Sequence, residues 1–404
     1  MGNIASASER GLDAAIDARR AAIESFLSSL VQAPSVLGSE RPAQLLIARR
    51  LRATGLRAEL RDVPVDLVSG VPGWAPVTRS YAARPNVIAT TQGAGGGRSL
   101  VLNGHVDVVS PEPIGWWNGG DPFSGRIEGG RLYGRGAWDM KGGLAAALWA
   151  WESVRASDTP LRGDVRFESV IEEECTGNGA LAARLDAPRA DAAIIPECTG
   201  LETFTETPVV LWVEVTVRGR PAYVGRPGAY VNAIEAAVPL IERLRAQVTE
   251  GLTLSVGTIR GGDWPSTVPL ECSFVCRVSA PRIWSVERAK AVVESWIAAA
   301  AAADPWLADH PPTIGYPGFQ AEGWVIDEDE PIVRLLDQVH GAVAGEPLRH
   351  VAFPGTADGR AFAARGEPAV YYGPAGANQH APDEWVDLES VRLVARVIAR
   401  TIVE

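Results

Sequence analysis

Along this chain, short apolar runs repeatedly end in a residue able to bind a metal or move a proton. Ser99-Leu-Val-Leu-Asn103 leads to His105-Val-Asp107, and the run at 165–171 stops at Glu172-Glu173-Glu174. Ala192-Ala-Ile-Ile195 leads through a proline to Glu197, and the run at 369–372 leads through Gly373-Pro-Ala-Gly376 to His380. Gly136-Ala-Trp-Asp139-Met-Lys-Gly-Gly143 sets Asp139 in a glycine-rich turn just before an Ala/Leu/Trp-rich helix at 142–154. Residues this far apart in sequence share a site only if the strands lie side by side with their ends aligned. That arrangement is an open, mostly parallel α/β sheet with its chemistry along one edge.

The rest of the pattern agrees. Apolar residues at helical spacing predict an opening helix over 9–29 and a second over 42–54, followed by a strand at 57–62 and another at 87–90. After residue 207 the character changes. Strands at 209–217, 253–259, 270–279 and 313–316 alternate with helices at 232–247 and 286–303. The order β-α-β-β-α-β predicts a ferredoxin-like α+β unit. A chain of 404 residues is long enough for two cores. The expected organisation is a catalytic domain from 1–206 and 319–404, with a lid or dimerisation domain inserted at 207–318.

Composition narrows the partners. A net charge of -11, without a Lys/Arg-rich run, gives nucleic acid nothing to bind. No apolar run is long enough to span a membrane and no secretory signal is visible, so a cytoplasmic protein is expected. Met1-Gly2 with Ser6 formally matches a myristoylation signal, with no polybasic partner to support it. Cys175, Cys198, Cys272 and Cys276 are expected to be free thiols in a reducing compartment.

The chemistry of these residues suits a hydrolase. His105 and Asp107 share a strand face, so the carboxylate could take the N–H that an imidazole keeps when its other nitrogen binds metal. Asp139 could bridge two ions or merely cap the following helix. Three successive glutamates after an apolar strand repel one another unless a cation or a bound proton relieves them. Such a set could hold two zinc-like ions and supply a base for water. His310, His340 and His350 have no acidic companion at ligand spacing.

This ordered set resembles the metallopeptidase and deacylase family M20, over nearly the whole chain. The resemblance rests on His105-x-Asp107, on Asp139 before Gly142-Gly143, on Glu173-Glu174 before Gly177-Asn-Gly179, on Glu197 and on His380. It implies that His105, Asp139 and Glu197 bind one divalent ion and that Asp139, Glu174 and His380 bind another, zinc first, manganese or cobalt as alternatives. It also implies that Glu173 is the general base, that Asp107 is a supporting residue behind the metal ligands, that the Asp139–Met140 peptide is cis, and that the protein is a homodimer. Arg277 matches an arginine that clamps a substrate carboxylate, although a surface ion pair would also account for it. Asn232 and Gly376 are further substrate-contact candidates, and Thr356 and Asp358 lie in a loop that approaches the site in relatives.

Two positions depart from the family pattern. Gly219-Arg-Pro-Ala-Tyr223 carries tyrosine where relatives carry a histidine that reaches across a dimer to the oxyanion. Pro265-Ser266 replaces the usual asparagine before Val-Pro. The expected activity is hydrolysis of an amide C–N bond in an N-acyl amino acid or small peptide-like carboxylate. The alternatives are hydrolytic deamination of an aromatic or unusual amine, which Tyr223 would favour, and a non-catalytic homologue.

Overall fold

The computed structural model describes residues 7–76, 79–157, 159–185, 187–225, 228 and 230–404. The Met1-Gly2/Ser6 pattern lies outside them. The main sheet has nine strands. At its centre Val165–Val170, Leu100–His105, Ala192–Ile195 and Ala369–Tyr372 are neighbours in that order, and all are parallel. Asn86–Thr91 and Glu59–Arg61 extend one side antiparallel, and Thr203–Thr207 continues the other. The mixed sheet with its parallel centre is the expected α/β architecture.

Both faces of this sheet are covered. Side chains alternate along a strand, so Val87 and Ala89 enter the large core while Ile88 joins Val170, Ala180, Ala183 and Ala361 in a separate cluster. The helix Gly142–Ala156 is buried from Gly142 to Val154, and the amphipathic helix Leu388–Val403 packs on it. Its two tryptophans are fully buried, with Trp149 Nε1 donating to the Ile16 carbonyl at 2.8 Å. A helix buried all round in this way is at home only as the centre of a layer.

A second sheet is wholly antiparallel, in the order Thr253–Gly261, Glu271–Ala280, Val209–Arg218, Thr313–Gly315. Ala233–Ala246 and Val286–Ala302 pack against it over a separate core that includes Cys272, Phe274 and Cys276. This is the ferredoxin-like order expected from the alternation. All four cysteines are free thiols. Among the described residues no helix is long and apolar enough to cross a membrane.

The N-terminal expectation needs correction. The single helix predicted over 9–29 is two, Ala7–Asp17 and Arg20–Gln32. No proline or glycine causes the break. Arg19 folds back instead, and its Nη1 donates to the Ala15 carbonyl at 2.9 Å. A cation there satisfies a carbonyl left open at a helix C-terminus.

Candidate metal centre

The parallel strands deliver His105, Glu173, Glu174 and Glu197 to one end of the sheet, where the turn bearing Asp139 and the loop bearing His380 meet them. A cavity of about 390 Å³ opens there, lined among others by Asp139, Glu173, Glu174, Glu197, Arg277, Phe319, Phe353, Thr356 and His380. A cavity of about 500 Å³ also lies at the opposite strand ends, lined by Arg98, Leu100, Val165 and Ala192. Open α/β sheets bind ligands at the carboxyl ends of their strands, which favours the first.

Asp139 is the pivot of the site. Its Oδ1 is 3.1 Å from His105 Nε2 and its Oδ2 is 3.1 Å from His380 Nε2. His380 Nε2 is also 3.1 Å from Glu174 Oε1, and His105 Nε2 is 3.7 Å from Glu197 Oε1. Ligand atoms of His105, Asp139 and Glu174 lie within 4.8 Å of one another, and so do those of Asp139, Glu197 and Cys198. The structure thus gathers His105, Asp139, Glu173, Glu174, Glu197 and His380 in one place. The Asp139–Met140 peptide is cis.

Asp107 behaves differently from the sequence expectation. His105 Nδ1 faces the Asp107 backbone carbonyl at 2.9 Å, while the nearer carboxylate oxygen is 3.8 Å away. The carboxylate instead accepts the backbone N–H groups of Glu173 and Glu174, at 3.2 and 3.1 Å. It orients the glutamate pair, and the main chain orients the histidine.

Electrostatics mark the cluster as under stress. Burial pushes Glu173 well above the carboxylate range; His105 opposes this, and the negative charges of Asp358, Glu174 and Glu197 add to it. Burial likewise lifts Glu197 to about 8, against the pull of His105. Burial disfavours charge on His380, but Glu174 and Asp139 carry it up to about 11. Asp139 goes the other way, because His105 and His380 outweigh its burial. Glu173 Oε1 is buried with no hydrogen-bond partner among the described residues. Carboxylates packed this closely need positive charge beyond two imidazoles, so the donor set fits divalent cations. His105, Asp139, Glu174, Glu197 and His380 are the residues that would hold them.

The substrate-contact candidates divide. Arg277 lines the cavity, with Nη1 on Ser279 Oγ at 2.6 Å and Nη2 on the Pro354 carbonyl at 3.1 Å. Asn232 is instead the N-cap of Ala233–Ala246, its side chain accepting from Ile234 N and Glu235 N. Gly376 pairs with Val386 and lies where a Cβ would meet the Trp138 ring at 2.5 Å, so its smallness serves packing. Tyr223 is 72 % exposed and does not line this chain's cavity.

Other residues at the site escaped the sequence reading. Gln379 Nε2 donates to Asp139 Oδ2 at 2.8 Å. Glu384, wholly buried, accepts four donors from the segment that carries Asp139. A carboxylate four residues after His380 in the Ala381-Pro-Asp-Glu384 loop was the available signal.

Comparison with known proteins places the chain among hydrolases of similar fold. The chain is 30% identical over 326 residues to an N-formyl-4-amino-5-aminomethyl-2-methylpyrimidine deformylase of Halalkalibacterium halodurans, covering 73% of this chain and 76% of that one. It is 28% identical to a succinyl-diaminopimelate desuccinylase of Methylorubrum extorquens, over 93% and 96% of the two chains. In fold it is similar to a di-peptidase of Saccharomyces cerevisiae, with TM-score 0.80 at 13% identity and 98% of each chain covered. It is also similar to human carnosine dipeptidase 1, with TM-score 0.77 at 16% identity over 98% of this chain and 99% of that one. The sequence profile of Peptidase family M20/M25/M40 matches residues 101–404, and the chain belongs to that family of hydrolases.

Proposed function

We infer that this protein is a two-ion amide hydrolase that removes a small acyl group from nitrogen in a carboxylate-bearing substrate. The observation that carries this reading is the Asp139 carboxylate, which offers one oxygen to each of two imidazoles at 3.1 Å. That is the disposition a bridging ligand requires. Divalent ions held by His105, Asp139, Glu174, Glu197 and His380, zinc first and manganese or cobalt as alternatives, would supply Lewis acidity to the scissile carbonyl. Glu173 takes the proton of the attacking water and returns it to the leaving nitrogen as the C–N bond breaks. Its unpartnered Oε1 is the atom available for this. Asp107 holds the Glu173 and Glu174 backbone in place, and Arg277 receives the substrate carboxylate in a bidentate pair.

The relatives named above act on small N-formyl and N-succinyl compounds, which supports an acylated amine as substrate. Residues 207–318 form the inserted unit in this reading, and its Arg277 lines one side of the cavity. Among the described residues the edge strand Thr253–Gly261 pairs on one side only, which supports a homodimer formed with a second copy. Free thiols fit a cytoplasmic setting.

The test is Glu173→Gln assayed beside the parent protein on N-formyl amines, N-succinyl amino acids and dipeptides, with products identified by mass spectrometry. The variant is expected to retain its metal and lose turnover by about 10²–10⁴-fold, the usual worth of a positioned acid–base group. Near-normal turnover would remove Glu173 from the reaction. Ammonia release with every amide intact would replace amide hydrolysis by deamination.

A further inference from the structure

We propose that Glu384 is a positioning residue that sets the Asp139 carboxylate between the two imidazoles, locking both halves of the site to one loop. This rests on the two-ion reading above. Glu384 is fully buried, and its two oxygens are shared between different parts of one turn. Oε2 accepts Arg135 Nη1 at 2.5 Å and Gly136 N at 3.0 Å. Oε1 accepts Trp138 N at 2.9 Å and Asp139 N at 3.0 Å. The turn therefore wraps around a single carboxylate that arrives from the far end of the chain.

That turn needs such an anchor. Gly136 has φ +81, and a Cβ there would fall 2.3 Å from Val108 Cγ1. Asp139 and Met140 depart from helical geometry although a helix follows at once. The Asp139 N–H goes to Glu384 Oε1, so an acceptor from outside the turn helps decide where the Asp139 side chain points.

The same loop holds the second imidazole. Four residues before Glu384 stands His380, in left-handed conformation like Asn378 and Asp383. The loop is fastened to the turn again by Gln379 Nε2 on Asp139 Oδ2 at 2.8 Å, by Trp138 Nε1 on the Pro374 carbonyl at 2.7 Å, and by Gly134 N on the Glu384 carbonyl at 2.9 Å. Glu384 touches neither ligand head group. It fixes the backbone from which the bridging carboxylate projects and ties that backbone to the base of the His380 loop.

The experiment is manganese titration of the metal-free full chain, comparing the parent with Glu384→Gln. Glutamine keeps the shape and one acceptor oxygen but turns N–H groups toward Gly136 N and Arg135. Three readouts are taken: binding affinity, the electron paramagnetic resonance spectrum at saturation, and thermal unfolding without metal. The parent is expected to show the reduced hyperfine spacing of an exchange-coupled pair. The variant is expected to bind about 10–100-fold more weakly, the range for losing a group that orients a metal ligand, and to show isolated-ion signals at saturation. A variant that binds like the parent and keeps the coupled spectrum, with only its unfolding temperature lowered, would overturn the proposal. If the single variant does not fold, the same readouts on Arg135→Met with Glu384→Gln decide, since no guanidinium is then left buried alone. A parent that binds one ion or none would instead overturn the two-ion reading, and this proposal with it.

Discussion

Asp358 shows how much the site depends on charge that the protein alone does not balance. It is buried, it stands directly before the short helix Gly359–Ala363, and it makes no capping hydrogen bond. Neither carboxylate oxygen has a partner among the described residues. Burial pushes it up to about 6, against the pull of Arg360 and His105. The folded chain therefore holds this proton more tightly than the unfolded chain, where an aspartate titrates near ~3.9. Stability falls as pH rises through that interval, and the loss is complete above the folded value. Asp358→Asn is expected to stabilise the metal-free protein at neutral pH, by at most about 3 kcal/mol for a shift of this size, and so to raise its unfolding temperature. The gain should fade as pH is lowered toward ~4. Thermal scans of both proteins across that range check this. A variant less stable than the parent at neutral pH would mean that the charged carboxylate is held by donors which asparagine cannot satisfy.

At the scale of elements, legibility followed how local each signal was. His105, Glu173, Glu174 and Glu197 could be read because each closes a buried strand, and parallel strands align their ends. The ferredoxin-like order was readable for a similar reason, since its strands and helices each carry a regular period. Glu384 was not, because its partners are backbone N–H groups 245 and 246 residues away and leave no trace in local composition. Asp107 was assigned to the right neighbourhood and the wrong donor, because spacing fixes the strand face without saying whether main chain or side chain gets there first. Asn232 was read through resemblance when its own position, directly before an apolar helix, already described a cap. Asn232→Ala is accordingly expected to cost about 1 kcal/mol of stability while leaving KM unchanged. An unchanged melting temperature with a raised KM would return Asn232 to the substrate.

At the scale of the molecule, the unresolved burden falls on Tyr223 and the exposed edge of the second sheet. Among the described residues Thr253–Gly261 pairs only with Glu271–Ala280, and over its nine residues a register shift at 256–258 and Arg260 are its protection as an edge. Natural sheet edges this long are normally blunted or covered. Ile259, Trp264 and Leu270 stand exposed on or beside it. A second copy laid along this edge would cover that surface, and Ile259→Lys is expected to shift the protein toward monomer in sedimentation velocity. A homodimer formed in this way would also give Tyr223 something to do. Its own chain's cavity does not include it, so a contribution to catalysis has to be made in the other subunit, where a phenol can donate one hydrogen bond to a developing oxyanion. Mixing separates the possibilities. Tyr223→Phe and Glu173→Gln are each expected to be impaired. Unfolding and refolding them together should restore part of the parent activity, because some mixed dimers then hold one site with a native Glu173 and a native Tyr223 from opposite chains. If Tyr223 acted within its own chain, each site of a mixed dimer would still carry one of the two lesions, and mixing would recover no activity. Recovery that disappears on dilution, and that Ile259→Lys in both partners prevents, is the outcome that assigns Tyr223 to the neighbouring site.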